Sequence, residues 1–212
     1  MPDFAFEDDA GAAGYDVVCG IDEAGRGPWA GPVVAAAVIL DRATLPEDLA
    51  QALDDSKRLK PARREHLLEA ISPYAAIGLG RASASEIDTV NVLQATFLAM
   101  DRAVAALGKR PALALVDGNR PPPLPSAPGC RVDCVIGGDG RSLSIAAASI
   151  AAKVCRDREM AALAERYPGY GWERNAGYGT AEHKAALDRL GVTDEHRKSY
   201  KPILNILGGG ES

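Results

Sequence analysis

The chain of 212 residues has the length of one domain, and its composition excludes several classes of protein. Hydrophobic residues make up 47% of the chain, which excludes a protein that is disordered throughout. A net charge of −5 excludes a small basic nucleic-acid-binding module, so a polyanionic partner must meet a local basic patch. Every apolar run is shorter than the roughly 18 residues that cross a bilayer, and we predict no membrane association.

The N-terminal segment and the cysteines indicate the compartment. Residues 1–14 are acidic and lack the basic start of a signal peptide, so we predict a flexible acidic leader and a cytoplasmic protein. The four cysteines contain no Cys-x-x-Cys pair, and we expect free thiols in a reducing compartment.

In chain order, apolar patterns and turn residues predict five strands and several helices. The predicted strands are Tyr15–Asp22, Pro32–Leu40, Ala75–Ala84, Ala112–Val116 and Arg131–Ile136. The predicted helices begin at Pro61, at a cap over Ser85–Asp88, at Leu143 (running to Tyr167) and after Thr180 (ending at Gly191). This order predicts an α/β domain whose mixed sheet is antiparallel at its start and is extended later through a helical crossover.

Acidic residues lie where these strands and turns end. Asp22 and Glu23 follow the first strand, Asp117 follows the fourth, and Asp139 precedes the long helix. Four carboxylates in one place repel one another, so their convergence requires a multivalent cation, and oxygen ligands suit Mg²⁺ or Mn²⁺. Two such ions about 3.5–4 Å apart activate water and stabilise the leaving oxygen of a phosphodiester. The alternative is that these acids are turn formers and helix caps.

Motifs along nearly the whole chain resemble those of ribonuclease HII, the type 2 ribonuclease H. They are Gly20–Gly27 (GIDEAGRG), Asp55–Lys57 (DSK), Val116–Asn119 (VDGN), Gly138–Asp139 (GD), Ser144–Arg158 (SIAAASIAAKVCRDR), Gly177–Thr180 (GYGT) and His196–Tyr200 (HRKSY). The resemblance implies a ribonuclease H-like fold, with a five-stranded mixed sheet flanked by helices. From the order of the elements, we expect the C-terminal helices, from about Gly169, to form a small cap on this core. We place the catalytic core at residues 15–168, the cap at 169–207 and a flexible tail at 208–212.

The resemblance also implies an activity. It implies endonucleolytic cleavage of RNA in RNA–DNA hybrids and incision 5′ of single ribonucleotides embedded in duplex DNA, as in ribonucleotide excision repair. The products carry 3′-hydroxyl and 5′-phosphate ends. The implied catalytic and metal-binding set is Asp22, Glu23, Asp117 and Asp139, with two Mg²⁺ or Mn²⁺ ions. We expect a monomer whose partners are these two nucleic acids, and we find no clear sliding-clamp motif.

A second set of residues is expected to bind substrate. Through the resemblance, Gly25, Arg26 and Gly27 are assigned to recognition of a 2′-hydroxyl by their main chain, and Tyr178 to the 2′-hydroxyl and the adjoining deoxyribose. The alternatives are a tight connection between strands and a buried aromatic ring.

Basic and polar residues elsewhere are candidates for phosphate binding. Ser149, Lys153 and Arg156 share one helical face, for which the alternative is an ordinary solvated surface. The pairs Lys57–Arg58 and Arg197–Lys198 are further candidates. We expect His66 and His183 to lie at the surface and Trp172 to pack the cap against the core.

Two positions depart from the pattern of the family. Gly137 and Ala176 stand where the family often has lysine, which puts substrate affinity in doubt.

Three other functions compete with this assignment. Ribonuclease HIII, which carries an additional N-terminal domain, is one alternative. A hybrid-binding module without activity is another, but all four acids are present. A Mg²⁺-dependent phosphatase or phosphotransferase is the third, but the sequence has neither a P-loop nor a phosphoaspartate motif.

Overall fold

The computed structural model describes residues 1–54, 56 and 59–208. The strands in this part of the chain are β1 (Val18–Ala24), β2 (Val33–Leu40), β3 (Ala75–Ala82), β4 (Leu113–Asp117) and β5 (Arg131–Val135). The helices are α1 (Ala5–Ala12), α2 (Glu47–Ala52), α3 (Pro61–Ile71), α4 (Ala84–Ala105), α5 (Leu143–Arg166), α6 (Trp172–Asn175), α7 (Ala181–Leu190) and α8 (Lys201–Gly208). Short 3₁₀ turns occupy Ser72–Tyr74 and Gly138–Gly140.

The five strands form one mixed sheet in the order β3-β2-β1-β4-β5. The first three strands are antiparallel neighbours, whereas β1, β4 and β5 run parallel. The predicted α/β fold with a five-stranded mixed sheet is therefore confirmed. One boundary differs, because β1 continues to Ala24 and so holds Asp22 and Glu23 within the strand rather than after it.

Helices cover both faces of the sheet. Helix α4 packs on β2 and β3 on one face, and α5, supported by α3, packs on β1 and β2 on the other. Gly20 of β1 allows this second contact, because a Cβ there would overlap the backbone of Ser144 in the first turn of α5. The N-cap of α4 is Ser83, two residues before the predicted cap, since its Oγ accepts from the N–H of Glu86 at 3.2 Å.

The acidic leader contains helix α1, which corrects the expectation of a flexible segment. The Oε1 atom of Glu7 accepts hydrogen bonds from the Oγ of Ser142 (2.7 Å) and the N–H of Ser144 (3.0 Å). These donors lie at the N-terminus of α5, where a carboxylate is favoured by the helix dipole. Ala10 joins an apolar cluster that includes Leu115 and Ile145, so the leader is part of the packed structure.

The last helices pack around the C-terminal end of α5. Met160 and Leu163 of α5 meet Trp172, Leu187 and Ile203 in one buried cluster. Trp172 packs as predicted, with 1% of its surface exposed. The boundary of a separate cap remains a prediction, and residues 209–212 of the predicted tail lie outside the described residues. None of the described helices combines the length and apolar character needed to cross a membrane.

Candidate active site

Three carboxylates meet at the edge of the sheet where parallel strands end. One oxygen atom from each of Asp22, Asp117 and Asp139 lies within 4.8 Å of the others. The register of the sheet explains this proximity for two of them. Ile21 pairs with Val116, so the next residues of β1 and β4, Asp22 and Asp117, lie side by side. Asp139 arrives from the turn after β5, and the N–H of Gly138 in that turn donates to Asp117 Oδ1 at 2.7 Å. Such a set of hard oxygen donors fits a divalent cation such as Mg²⁺ or Mn²⁺.

Asp22 is held from two sides and is almost fully buried, with 4% of its surface exposed. Its Oδ1 accepts from the N–H of Glu23 at 2.7 Å, and its carboxylate also bonds the side chain of Ser149 on α5. Burial, together with the charges of Glu23 and Asp117, raises the pKa of Asp22 well above its usual range. The charged form is therefore disfavoured until a cation compensates it.

Ser149 supports this carboxylate, which corrects its predicted role in phosphate binding. Only 3% of its surface is exposed, and its Oγ lies 2.8 Å from the Oγ of Ser56. Ser56 is the serine of the Asp-Ser-Lys motif, so this residue of the motif is linked to the site through Ser149 of α5. Sequence reasoning missed the contact, although the serine of the motif was a signal.

Glu23 follows Asp22 on β1, and because neighbouring residues of a strand alternate, these two side chains point to opposite faces of the sheet. Glu23 lines a cavity of about 330 Å³ together with Asp117, Asn119, Arg120 and side chains of α4. Glu23 Oε1 pairs with Arg26 Nη1 at 3.2 Å. The structure thus gathers three of the four predicted acids into one cluster, and the fourth, Glu23, lines a cavity together with Asp117 of that cluster.

The segment between β1 and β2, Gly25–Pro32, is the recognition loop, named for the role that the sequence predicts for its glycines. Arg156 lies beneath it and does not face solvent, because only 1% of its surface is exposed. Its Nε donates to the carbonyl of Pro32 (3.1 Å) and its Nη2 to that of Ala30 (3.3 Å). Burial and the nearby charge of Arg197 lower the pKa of Arg156 to about 10, so it remains a cation at neutral pH. The prediction that Arg156 binds phosphate is therefore wrong.

Tyr178 stands next to the recognition loop with 49% of its surface exposed. A Cβ built on Gly27 would lie 3.5 Å from Cε1 of the Tyr178 ring, so the two predicted recognition elements are neighbours. The loop is tied to this segment by the N–H of Trp29, which donates to the carbonyl of Gly177 at 2.8 Å. The ring of Trp29 also packs on Gly179, where a side chain would not fit.

Two buried histidines support the main chain of Tyr178, so the expectation that His183 lies at the surface is wrong. Trp172 Nε1 donates to His183 Nε2 at 3.1 Å, which leaves the proton of His183 on Nδ1, facing the carbonyl of Tyr178 at 3.0 Å. His196 Nε2 lies 3.1 Å from the same His183 Nε2. Burial lowers the pKa of His183, and burial with the neighbouring His183 lowers that of His196 to about 4. Both rings are therefore neutral at pH 7.

The remaining candidates divide into exposed and buried groups. Lys153 is one turn from Ser149 on α5, is partly exposed and pairs with Asp157 at 2.7 Å. Arg197 is completely buried, so the prediction that it binds phosphate is wrong. Lys57 and Arg58 lie outside the described residues. His66 is exposed, as expected.

Comparisons with known proteins agree in one family. The protein-family model described as Ribonuclease HII matches residues 19–203. The chain is similar to the ribonuclease HII of Paramagnetospirillum magneticum, at 62% identity over 98% of this chain and 99% of that protein. The crystal structure of ribonuclease H2 from Pyrococcus horikoshii OT3 superposes with a TM-score of 0.76 at 27% identity, covering 91% of this chain and 98% of the other.

A third comparison concerns the fold alone. The structure of Bst-RNase HIII in complex with Mn²⁺ matches with a TM-score of 0.74 at 19% identity, covering 95% of this chain and 72% of the other.

Proposed function

Because the chain belongs to the ribonuclease HII family, an endoribonuclease family that acts on RNA in hybrids, we propose that it also incises duplex DNA 5′ of a single embedded ribonucleotide. The proposed products carry 3′-hydroxyl and 5′-phosphate ends. The observation that carries the proposal is the cluster of Asp22, Asp117 and Asp139. The recognition loop follows directly on β1, which carries Asp22, and Gly27 of this loop adjoins the exposed ring of Tyr178.

The carboxylate cluster is the proposed holder of two divalent cations, Mg²⁺ or Mn²⁺. Its donor set fits such ions, because three hard oxygen ligands converge and Asp22 is buried among like charges. Bound ions of this kind lower the pKa of water and stabilise the leaving oxygen of a phosphodiester. The protein groups keep their positions through neutral donors: Gly138 N–H orients Asp117, while Glu23 N–H and Ser149 orient Asp22. We assign Glu23 to the same catalytic set from its place beside the cluster.

Recognition of the ribonucleotide is assigned to main-chain groups of Gly25, Arg26 and Gly27 and to Tyr178. A 2′-hydroxyl is both a donor and an acceptor, and it is the group by which a protein tells RNA from DNA. Glycine at two of three positions lets the backbone approach the sugar closely. The phenol and ring face of Tyr178 are exposed beside Gly27, where they can contact the same sugar and its neighbour.

Phosphate contacts are assigned to two lysines. Lys153 is the candidate on α5, and Lys57 is the candidate in the Asp-Ser-Lys motif. Since the net charge of the chain is −5, binding depends on such local groups and weakens as salt increases. We further propose that the enzyme acts as a cytoplasmic monomer in ribonucleotide excision repair; its four cysteines are free thiols, which suits a reducing compartment.

The test uses duplex DNA with one internal ribonucleotide, a long RNA–DNA hybrid and an all-DNA duplex, each incubated with Mg²⁺ or Mn²⁺. We expect cleavage of the first two substrates, incision 5′ of the ribonucleotide, and loss of both activities in chelator. Cleavage of the hybrid alone would retain the family activity and contradict the proposed single-ribonucleotide activity. Binding of the hybrid without cleavage would favour a module without activity.

A further inference from the structure

One buried side chain, Arg197, holds both ends of the recognition loop. It lies between α7 and α8, and none of its surface is exposed. Its Nη2 donates to the carbonyls of Gly25 (2.5 Å) and Gly31 (2.9 Å), and its Nε donates to Gly31 as well (3.0 Å). Its Nη1 donates to the carbonyl of Arg26 at 2.9 Å. A single planar guanidinium therefore links two carbonyls at the start of the loop to one near its end.

Tyr200 completes this arrangement. Its hydroxyl accepts from Arg197 Nη1 at 3.0 Å and donates to the carbonyl of Arg26 at 2.5 Å. The carbonyl of Arg26 thus receives two hydrogen bonds from the segment that precedes α8. The backbone of that segment adds two more links, since Arg197 N–H donates to Trp29 and Gly31 N–H donates to Glu195, both at 2.8 Å.

The chemistry of Arg197 suits a structural use of its charge. Its hydrogen bonds to described residues go to carbonyls and a phenol, which have strong dipoles but no net charge. A buried guanidinium is tolerated when its N–H groups are satisfied in this way. Lysine has a single ammonium group and does not reproduce the fork that reaches three carbonyls.

The orientation of the carbonyls sets the orientation of the amides that follow them. The peptide bonds of the described residues are trans, so each carbonyl points away from the N–H of the next residue. Because the carbonyls of Gly25 and Arg26 point down to Arg197, the N–H groups of Arg26 and Gly27 point to the opposite side of the loop. Gly27 adjoins the exposed ring of Tyr178, so these donors belong to the surface assigned to the substrate.

We propose that Arg197 is a positioning residue that, with Tyr200, aims the N–H groups of Arg26 and Gly27 at the 2′-oxygen of the substrate ribose. The inference rests on the proposed function, in which this loop reads the 2′-hydroxyl. It adds the residue that keeps the loop in a binding geometry before substrate arrives, so that the ordering cost is not taken from the binding energy.

The test compares Arg197→Lys and Tyr200→Phe with matched controls. Tyr200→Phe removes one hydroxyl and keeps the ring, so it is the variant that folds if Arg197→Lys does not. Tyr170→Phe is its control, because the hydroxyl of Tyr170 also donates to a carbonyl, that of Gly191 at 2.8 Å, away from the loop. Arg102→Lys is the control for the arginine change, since Arg102 also donates to a carbonyl, that of Arg81 on the edge strand β3.

The first readout is the affinity for a duplex with one ribonucleotide divided by the affinity for the all-DNA duplex, measured in Ca²⁺. We expect this ratio to fall by about tenfold in Tyr200→Phe, and further in Arg197→Lys, because a misplaced donor loses about one hydrogen bond. The controls keep the ratio of the unchanged protein. A purely structural role would lower the fraction of folded protein without changing the ratio of its affinities.

The second readout does not depend on substrate. Amide hydrogen exchange at Gly31 and Arg197, whose N–H groups link the loop to the segment before α8, is expected to accelerate in Tyr200→Phe and to stay unchanged in Tyr170→Phe. If the unchanged protein shows no preference for the ribonucleotide, the proposed function fails, while this exchange still reports whether the segment holds the loop. An unaltered ratio and unaltered exchange in the folded Tyr200→Phe variant would overturn the inference.

Discussion

The protein buries two groups of side chains, one acidic and one basic, and in each group charges of the same sign lie near one another. The charge of each group is compensated in a different way. On one side of the recognition loop, Asp22 is buried beside Glu23 and Asp117, and its pKa is raised. Beneath the loop, Arg156 and Arg197 are buried near each other, and their guanidinium groups donate to carbonyls of the loop. The acids thus form a site that a cation from outside completes, whereas the arginines form a structural element whose charge is compensated by the protein itself.

The comparison shows how to distinguish a buried charged group that serves the activity from one that stabilises the fold. Both groups contain charged side chains with under 5% of their surface exposed, so burial alone does not distinguish them. The difference lies in their neighbours: negative charges surround Asp22, and main-chain dipoles surround Arg156 and Arg197. Substitutions in the two groups are therefore expected to act on different properties.

The largest expected effect is on catalysis. Asp117→Asn removes a charge from the carboxylate cluster, and we expect the rate of hybrid cleavage to fall by more than about a hundredfold, beyond the loss typical of an outer-sphere partner of a metal. Asp133→Asn is the control, since Asp133 is a partly exposed acid of the same sheet that pairs with Arg131. The measurement is single-turnover cleavage in Mg²⁺. A variant with near-normal activity would remove Asp117 from the catalytic set.

The next effect is on stability. Arg156→Met keeps much of the side-chain volume but leaves the carbonyls of Ala30 and Pro32 without their donors. We expect the free energy of unfolding to fall by about 3 kcal/mol, as for other buried polar groups that lose a charged partner. Arg158→Met, which removes an exposed arginine paired with Glu65, is expected to cost less than about 1 kcal/mol. Equal losses in urea denaturation would contradict the structural role of Arg156.

The smallest expected effect is a gain in stability rather than a loss. Asp22→Asn relieves repulsion in the absence of metal, so in chelator we expect a gain in the free energy of unfolding on the order of 1 kcal/mol. The pKa of Asp22 is raised in the folded state, so the folded state holds this proton to higher pH than the unfolded state does. The stability of the chelated protein therefore decreases as pH rises from the unfolded pKa through the raised folded pKa.

The advantage of Asp22→Asn should consequently be larger at about pH 8 than at about pH 5, where protonation already relieves part of the repulsion. Urea unfolding in chelator at the two pH values measures it, with Asp133→Asn as the control. A variant that is less stable than the unchanged protein at both values would show that the hydrogen bonds of Asp22 outweigh its repulsion. That result would weaken the contrast with the buried arginines.

Much of the fold was predictable because it depends on local patterns. Short apolar runs between turn residues predicted all five strands, and Thr180 was identified as a cap, which its Oγ1 confirms by accepting from the N–H of His183. The leader was not predictable, because helix α1 depends on Glu7 meeting Ser142 and Ser144 more than a hundred positions later. Its acidic composition is equally typical of a mobile segment.

The candidate site shows the same division. The sequence by itself determined which carboxylates stand where strands and turns end, because the apolar runs that form strands and the glycines that follow them are local features of the sequence. Only the tertiary structure decided the roles of Arg156, Arg197 and His183, which charge and helical spacing had assigned to the surface. The physical reason is that an arginine or histidine acts according to its partners, and these partners are carbonyls and rings brought close by folding.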